Sequence, residues 1–351
     1  MDLDTRQVLV TGAGGWLGRR LVEVLAGNVP GTPAPAGDFT IRCLVLTEAE
    51  AAALRRVSSR IEPLVGDLRS RADCERLCAG ARGAVLFHVA GIIHPRKVRE
   101  FYEVNLDGTA RLLQAAVEAG VRRAVVVSSN SPCGCNPRRD HRFDEQSPYH
   151  PYMNYGRSKM LMEQHVHGVQ AAGRIETVIA RAPWFYGPNQ PERQTQFFKM
   201  IRDGQAPIVG DGGNLRSMGY VDNLSVGLIQ AAAIAHANGR TYWLADERPY
   251  SMNEIVDTIE GLLEREFRQT CAHKRMRLPG MASEVALVID ATLQGAGLYQ
   301  QKIHVLSEMN RTIACSIDKA RNELGYAPAI ALEEGMRRSL QFCFDRGDFE
   351  A

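Results

Sequence analysis

The run VLVTGAGGWLGRRLVEVL, residues 8–25, does most to limit the folds open to this chain. A short β-favouring stretch runs into glycines at 12, 15 and 18, and an amphipathic helical pattern follows without a break. A turn this tight between strand and helix needs residues without a Cβ. The helix then starts with unpaired N–H groups facing outward, where bare backbone can approach a pyrophosphate. Standing at the head of a repeated strand–helix pattern, the triplet reads as a dinucleotide-binding turn rather than a purely structural one.

That pattern continues through the first half. Apolar, β-rich runs at 7–12, 41–46, 61–67, 84–91, 123–129 and 176–183 alternate with helical patterns at 15–27, 67–80, 104–120 and 154–173. Several of the runs hold an unbroken apolar stretch, such as VLV, AVLF and AVVV, as suits strands buried on both faces. The expected fold is therefore α/β, a doubly wound parallel sheet with a smaller, mostly helical C-terminal lobe. The expected division is a dinucleotide domain over 1–182 and a substrate lobe over 183–351, with 219–246 returning to the sheet through TYWLAD. In the second lobe, a helix over 251–267 is expected to open on an N-cap at Ser251 with a capping-box partner at Glu254.

With 42 Lys and Arg against 40 Asp and Glu, the chain has no basic surplus with which to hold a nucleic-acid backbone. No stretch approaches the ~20 apolar residues of a membrane span, and the acidic start MDLDTRQ has no leader-like core, so a cytoplasmic protein is expected. The eight cysteines are scattered without zinc-finger spacing, and reduced, buried thiols with no metal are expected.

YGRSK at 155–159 carries the chemistry. Residues four apart share a helix face, so the Lys159 ammonium can lower the Tyr155 phenol from its usual ~10 by favouring the phenolate. Such a tyrosine can exchange a proton with a substrate hydroxyl while a nicotinamide exchanges the hydride. A serine hydroxyl from VVVSSNSPCG, which ends the fifth strand, can reach the same oxygen. At the end of the second strand, LVLTEAE offers no arginine for a 2′-phosphate, which favours NAD while leaving NADP open. Glu48 is the nearest acid for a ribose, and Asp67 ends the third strand where an adenine would lie; their alternatives are a solvated glutamate and a helix cap.

Together, TGAGGWLG, GDL, FHVAG, VNLDGT, VVVSS, YGRSK, RAPWFYGP and SIDKARNELGYAP resemble the extended short-chain dehydrogenase/reductase superfamily, in particular its nucleotide-sugar epimerase/dehydratase branch. The resemblance implies that Ser129 hydrogen-bonds the substrate, Tyr155 is the acid/base, Lys159 binds the ribose and Asn105 lies beneath the site. Counting back from Tyr155 alone would favour Asn130 over Ser129, and Ser131 is a further candidate. The resemblance also implies cofactor contacts at Gly12, Gly15, Trp16, Leu17, Gly18, Asp67, Leu68, Val89, Ala90, Gly91 and Pro183, and a homodimer through the helices at 104–120 and 154–173.

SSNSPCG lacks the acidic pair that follows the serine in sugar dehydratases, which leaves a simple redox step or a redox epimerisation. For a nucleoside-diphosphate sugar, Arg216 and Arg311 are candidate diphosphate ligands, and Phe185 and Phe198 candidate contacts to the rest of the substrate. The leading expectation is an NAD-dependent epimerase inverting C4 of a UDP-sugar. The alternative, from a resemblance of GNLRSMGYVDNL and the helical stretch 281–297 to the 3β-hydroxysteroid dehydrogenase branch, is a dehydrogenase of a secondary alcohol. A silent dinucleotide-binding regulator is the third reading, against which stand both Tyr155 and Lys159.

Overall fold

A computed structural model describes residues 1–349. Seven parallel strands form one sheet: β1 Gln7–Thr11, β2 Thr40–Val45, β3 Ile61–Val65, β4 Val85–His88, β5 Arg123–Ser128, β6 Glu176–Arg181 and β7 Thr241–Trp243. Their spatial order is β7-β6-β5-β4-β1-β2-β3. The order reverses beside β1, which pairs with β2 on one side and β4 on the other, so the glycine turn opens at the switch point where such sheets bind ligands.

Both faces of the sheet are covered. Val8 and Val10 enter one apolar cluster and Leu9 the other, each with essentially no exposure. This alternation across a continuous apolar run is the mark of a strand buried on both sides.

Two helical segments depart from the sequence pattern. The helix expected from 67 spans Arg71–Cys78, because Ser70 rather than Asp67 caps it by accepting from the Asp73 N–H at 3.2 Å. The segment expected as a helix from 104 begins as a π-helical turn, Tyr102–Gly108, before the helix Thr109–Ala119. Single π turns inserted in α-helices gather at functional sites, and this one carries Asn105.

The second lobe has its own core. Helices Glu192–Arg202, Met252–Arg265 and Leu332–Asp345 enclose Phe198, Ile255, Ile259, Met336 and Leu340. Short strands tie the lobe together: Trp184–Tyr186 with Met218–Tyr220, Pro207–Val209 with Met276–Leu278, and Leu215–Arg216 with Tyr250–Ser251. Ser251 caps its helix by accepting from the Glu254 N–H at 3.0 Å, but only half of the expected capping box forms. The Glu254 carboxylate turns to Arg248 instead, while the full box occurs at Thr47 and Glu50. Helices Met281–Gly295 and Gln301–Glu308 form a hairpin. Among the described residues, no helix is long and apolar enough to cross a membrane.

Candidate active site

Glycine is required at two points of the first turn. Gly12 has φ +71, and a Cβ there would lie 2.6 Å from the Ala90 nitrogen; a Cβ at Gly18 would lie 2.1 Å from the Gly12 carbonyl oxygen. Gly15 caps the helix Trp16–Leu25 with no side chain, and its Cβ direction meets only the Gly12 oxygen at 3.2 Å. The helix start is thus bare backbone, as a pyrophosphate requires. Leu17 and Gly18 are buried behind it, and Val89, Ala90 and Gly91 follow β4 alongside. These residues fit a dinucleotide.

Beneath the turn lies a chain that the sequence reading missed. His88 joins Thr11 and Thr109 at 2.7 Å each, fully buried. Burial holds its imidazole near pKa 3, so it is a neutral strut. Its signal was a polar residue inside the otherwise apolar run AVLFHVAG.

Trp16 bridges the two lobes. Its indole N–H donates to the Pro188 carbonyl at 2.8 Å, and its ring meets Phe185 edge-on at 5.3 Å. Pro183 is buried just after β6. The adenosine end differs more from expectation. Glu48 pairs with Arg55 at 2.5 Å in the first helical turn after β2, and both are exposed. The Asp67 carboxylate is gripped by Arg69, whose hydrogen bonds hold it below the usual carboxylate range. Leu68 is buried next to it.

The triad stands on β5 and the helix Met153–Ala171. Ser129 and Ser131 are both buried, their hydroxyls 3.4 Å apart. The turn that aims them depends on Gly134 at φ +78, where a Cβ would lie 2.3 Å from the His150 carbonyl oxygen. Burial raises the Tyr155 phenol to about 12, although the neighbouring Ser129 hydroxyl favours the phenolate. The expected lowering by Lys159 is not what the structure contains. Lys159 is buried, its Nζ donates to the Val127 carbonyl at 2.8 Å, and burial brings its own pKa down to about 8. Burial and the Glu308 charge, rather than Lys159, set the direction of the Tyr155 shift, so Tyr155 rests as a neutral phenol.

Asn105 braces rather than reacts. Its Oδ1 accepts from the Ile92 N–H at 2.9 Å, and its Nδ2 donates to the Ile92 carbonyl and to Ser158 on the catalytic helix. A Cβ at Gly91 would stand 3.3 Å from the Asn105 oxygen and 3.9 Å from Lys159 Nζ, so this loop lies directly over the lysine.

From the second lobe, Tyr299 packs edge-on against Phe101 at 5.4 Å, and Phe101 in turn lies 5.7 Å from Tyr155. Tyr299 also bonds His94 at 2.8 Å. Glu308, unremarked in the sequence reading, is close enough for its charge to oppose ionisation of Tyr155, Tyr152 and Tyr299.

The second-lobe contacts need correction. Phe198 has no exposed surface and belongs to that lobe's core, so it cannot meet a substrate in this arrangement. Arg311 pairs with Glu284 at 2.7 Å. Arg216 donates to the Glu308 carbonyl at 2.5 Å and makes no ion pair among the described residues. Phe185 is half-buried against Trp16.

The sequence model of the NAD dependent epimerase/dehydratase family matches residues 8–245. The uncharacterized protein y4nL of Sinorhizobium fredii is 53% identical over 349 residues, covering 99% of this chain and 98% of that one. The 4-hydroxy-2-methyl-3-oxo-4-farnesyl-3,4-dihydroquinoline-1-oxide ketoreductase of Stigmatella aurantiaca is 28% identical, with 94% of each chain covered. Among solved structures, the UDP-glucose 4-epimerase of Thermotoga maritima, with UDP-glucose, superposes with a TM-score of 0.76 at 18% identity, over 98% of this chain and 100% of that one. At that identity the likeness is one of fold.

Proposed function

We propose a function from the premise that the chain belongs to the NAD dependent epimerase/dehydratase family: an oxidoreductase that interconverts a secondary alcohol and its ketone with net hydride transfer, on a substrate with a large apolar part. It is an NAD-dependent enzyme of the short-chain dehydrogenase/reductase type, and when bound, NAD supplies the hydride exchange at the reacting carbon.

The observation that carries the reading is the placement of the buried Tyr155 phenol, on the helix Met153–Ala171, beside the buried Ser129 hydroxyl that follows β5. As a hydride reaches the carbonyl carbon, oxygen gains charge, and the Tyr155 hydroxyl proton passes to it. The Ser129 hydroxyl holds the same oxygen. In the reverse direction the alcohol O–H proton moves to the Tyr155 phenolate as the carbinol C–H leaves as hydride, so oxidation requires the phenol to have lost its proton first. The run 129–135 contains no carboxylate, which favours a redox step without water loss.

Two features support an apolar substrate. Of the residues expected at a nucleoside diphosphate, Phe198 is in the core, and Arg311 is paired with Glu284 at the surface. The ketoreductase relative carries a farnesyl group in its substrate's name.

Arg216 favours a second reading. Among the described residues its guanidinium is hydrogen-bonded to a neutral carbonyl and makes no ion pair, so its charge is available to a diphosphate, as in an epimerase inverting C4 of a UDP-sugar. In either case a cytoplasmic homodimer through the helices Thr109–Ala119 and Met153–Ala171 is part of the proposal.

One panel separates the two. Apolar ketones are supplied with NADH, and UDP-sugars with NAD. NADH consumption matched by alcohol supports the oxidoreductase; epimer formed without net change in NADH replaces it with the epimerase.

A further inference from the structure

The helix Met281–Gly295 is inside out. Ser283, Asp290 and Gln294 are buried, whereas Met281, Val285, Val288 and Ile289 are 44–71% exposed. An amphipathic helix on a globular protein normally turns its apolar stripe inward. Here the inward face is satisfied by polar bonds. His304 meets Asp290 at 2.7 Å, Gln294 donates to Asp290 at 2.9 Å, and Ser283 donates to the Leu306 carbonyl at 2.6 Å.

The exposed apolar residues gather in one place. Ten large hydrophobic residues are exposed among those described, and seven of them, Met276, Met281, Val285, Val288, Ile289, Leu298 and Val305, lie within residues 276–305. Between the two helices of the hairpin, Val285 and Ile289 face Ile303 and Leu306 across a groove of about 460 Å³. A contiguous apolar face of this kind marks a surface that something covers.

Charge identifies what covers it. Between residues 268 and 308 the chain has three acidic residues, Glu284, Asp290 and Glu308. The first pairs with Arg311, and the second is buried against His304. Lys274, Arg277 and Lys302 are exposed on the same stretch with no ion pair among the described residues, and Lys97 and Arg96 are exposed where Lys97 bridges Leu298. An apolar face edged by these unpaired cations, while Glu284 faces Arg311 and Asp290 and Glu308 face His304, complements a bilayer with anionic headgroups. A symmetric pairing of two copies through this face would set those cations against a surface with no acid free to receive them.

We propose that the hairpin 281–308 is an interfacial docking surface for anionic membrane, on which the enzyme lies without crossing the bilayer. Tyr299, next to the exposed Leu298, packs on the Phe101 that touches Tyr155, so docking places the catalytic cluster beside the lipid surface. The inference stands whichever substrate reading holds.

The test is co-sedimentation of the whole protein with vesicles of phosphatidylcholine alone and of phosphatidylcholine with a third phosphatidylglycerol. Binding to the anionic vesicles, weakened by salt and cut at least tenfold by V285E/I289E and by R277E/K302E, is the expected result. Both pairs are on the surface, and circular dichroism with NAD binding checks that they fold. No sedimentation above the vesicle-free control overturns the proposal, as does binding indifferent to either double variant. A wild-type dimer that V285E/I289E converts to monomer, with no vesicle binding, assigns the face to a second copy.

Discussion

Lys159 Nζ donates to the carbonyl oxygen of Val127 at 2.8 Å, tying the buried ammonium to the strand that leads into Ser129. Burial brings the folded pKa to about 8, against ~10.4 in an unfolded chain. Below pH 8 both states are protonated, and the folded state bears the cost of the buried charge. Between about 8 and ~10.4 only the unfolded state holds the proton, so stability rises with pH across that window. Lys159→Met should therefore raise the Tm at pH 7 by a few degrees, with the advantage gone near pH 10. Paired thermal scans of the NAD-free proteins at the two pH values measure it, and an equal difference at both would contradict a costly ammonium.

Tyr155→Phe removes the proton that the carbonyl oxygen needs while leaving the ring against Phe101. Turnover should fall by ~10²–10⁴-fold, the usual worth of a positioned acid or base. NAD affinity, measured by calorimetry, should stay within about twofold, because the residues fitted to the pyrophosphate lie on the glycine turn. Loss of NAD binding in step with activity would mean that the phenol holds the cofactor instead.

Glu163 and Arg181 form an ion pair with both side chains almost wholly buried, at 2.7 Å, and Tyr149 donates to the same carboxylate at 2.8 Å. The pair locks the catalytic helix to the end of β6, one turn beyond Lys159. Breaking one partner strands a buried charge, so Glu163→Leu should cost about 3–5 kcal/mol in urea unfolding. The double variant Glu163→Leu/Arg181→Leu should cost clearly less than Glu163→Leu alone. Costs that simply add would show that the two groups do not depend on each other.

The sheet was legible because its signals are local: seven short apolar runs, each bounded by turn residues, became the seven strands. The glycine turn was legible for the same reason. What failed needed information from distant parts of the chain. FFKMIRDG has the spacing of a helix with an aromatic face, and nothing within it says whether Phe198 looks toward a substrate or into the core. Arg311 finds Glu284 from 27 residues away and Glu48 finds Arg55, so neither was free for the ligand expected of it. The Tyr155–Lys159 spacing correctly implied one helix face, but the direction of the phenol's shift depends on burial, which spacing does not encode. The helix at 281–295 shows the same limit: its periodicity was plain, but which of its faces turned inward was not.

The hairpin's inner bonds make one more testable statement. His304 lies between Asp290 at 2.7 Å and Glu308 at 3.9 Å, its ring tilted against those of Tyr152 and Tyr299. Burial works against its charged form, but the bond to Asp290 and the two carboxylate fields prevail, and its pKa is raised above the usual value of ~6.5. A histidine shifted this way adds stability that is complete below the unfolded pKa and is lost as pH rises through the folded one. His304→Gln should therefore lower stability most near pH 5.5 and least near pH 9. Because Asp290 and His304 join the two helices, amide exchange over 281–308 should quicken in the wild type at the higher pH, beyond the intrinsic acceleration, while the β1 and β5 amides stay protected. If the Gln variant loses the same stability at both pH values, the bond acts through shape alone and the imidazolium has no part in holding the hairpin closed.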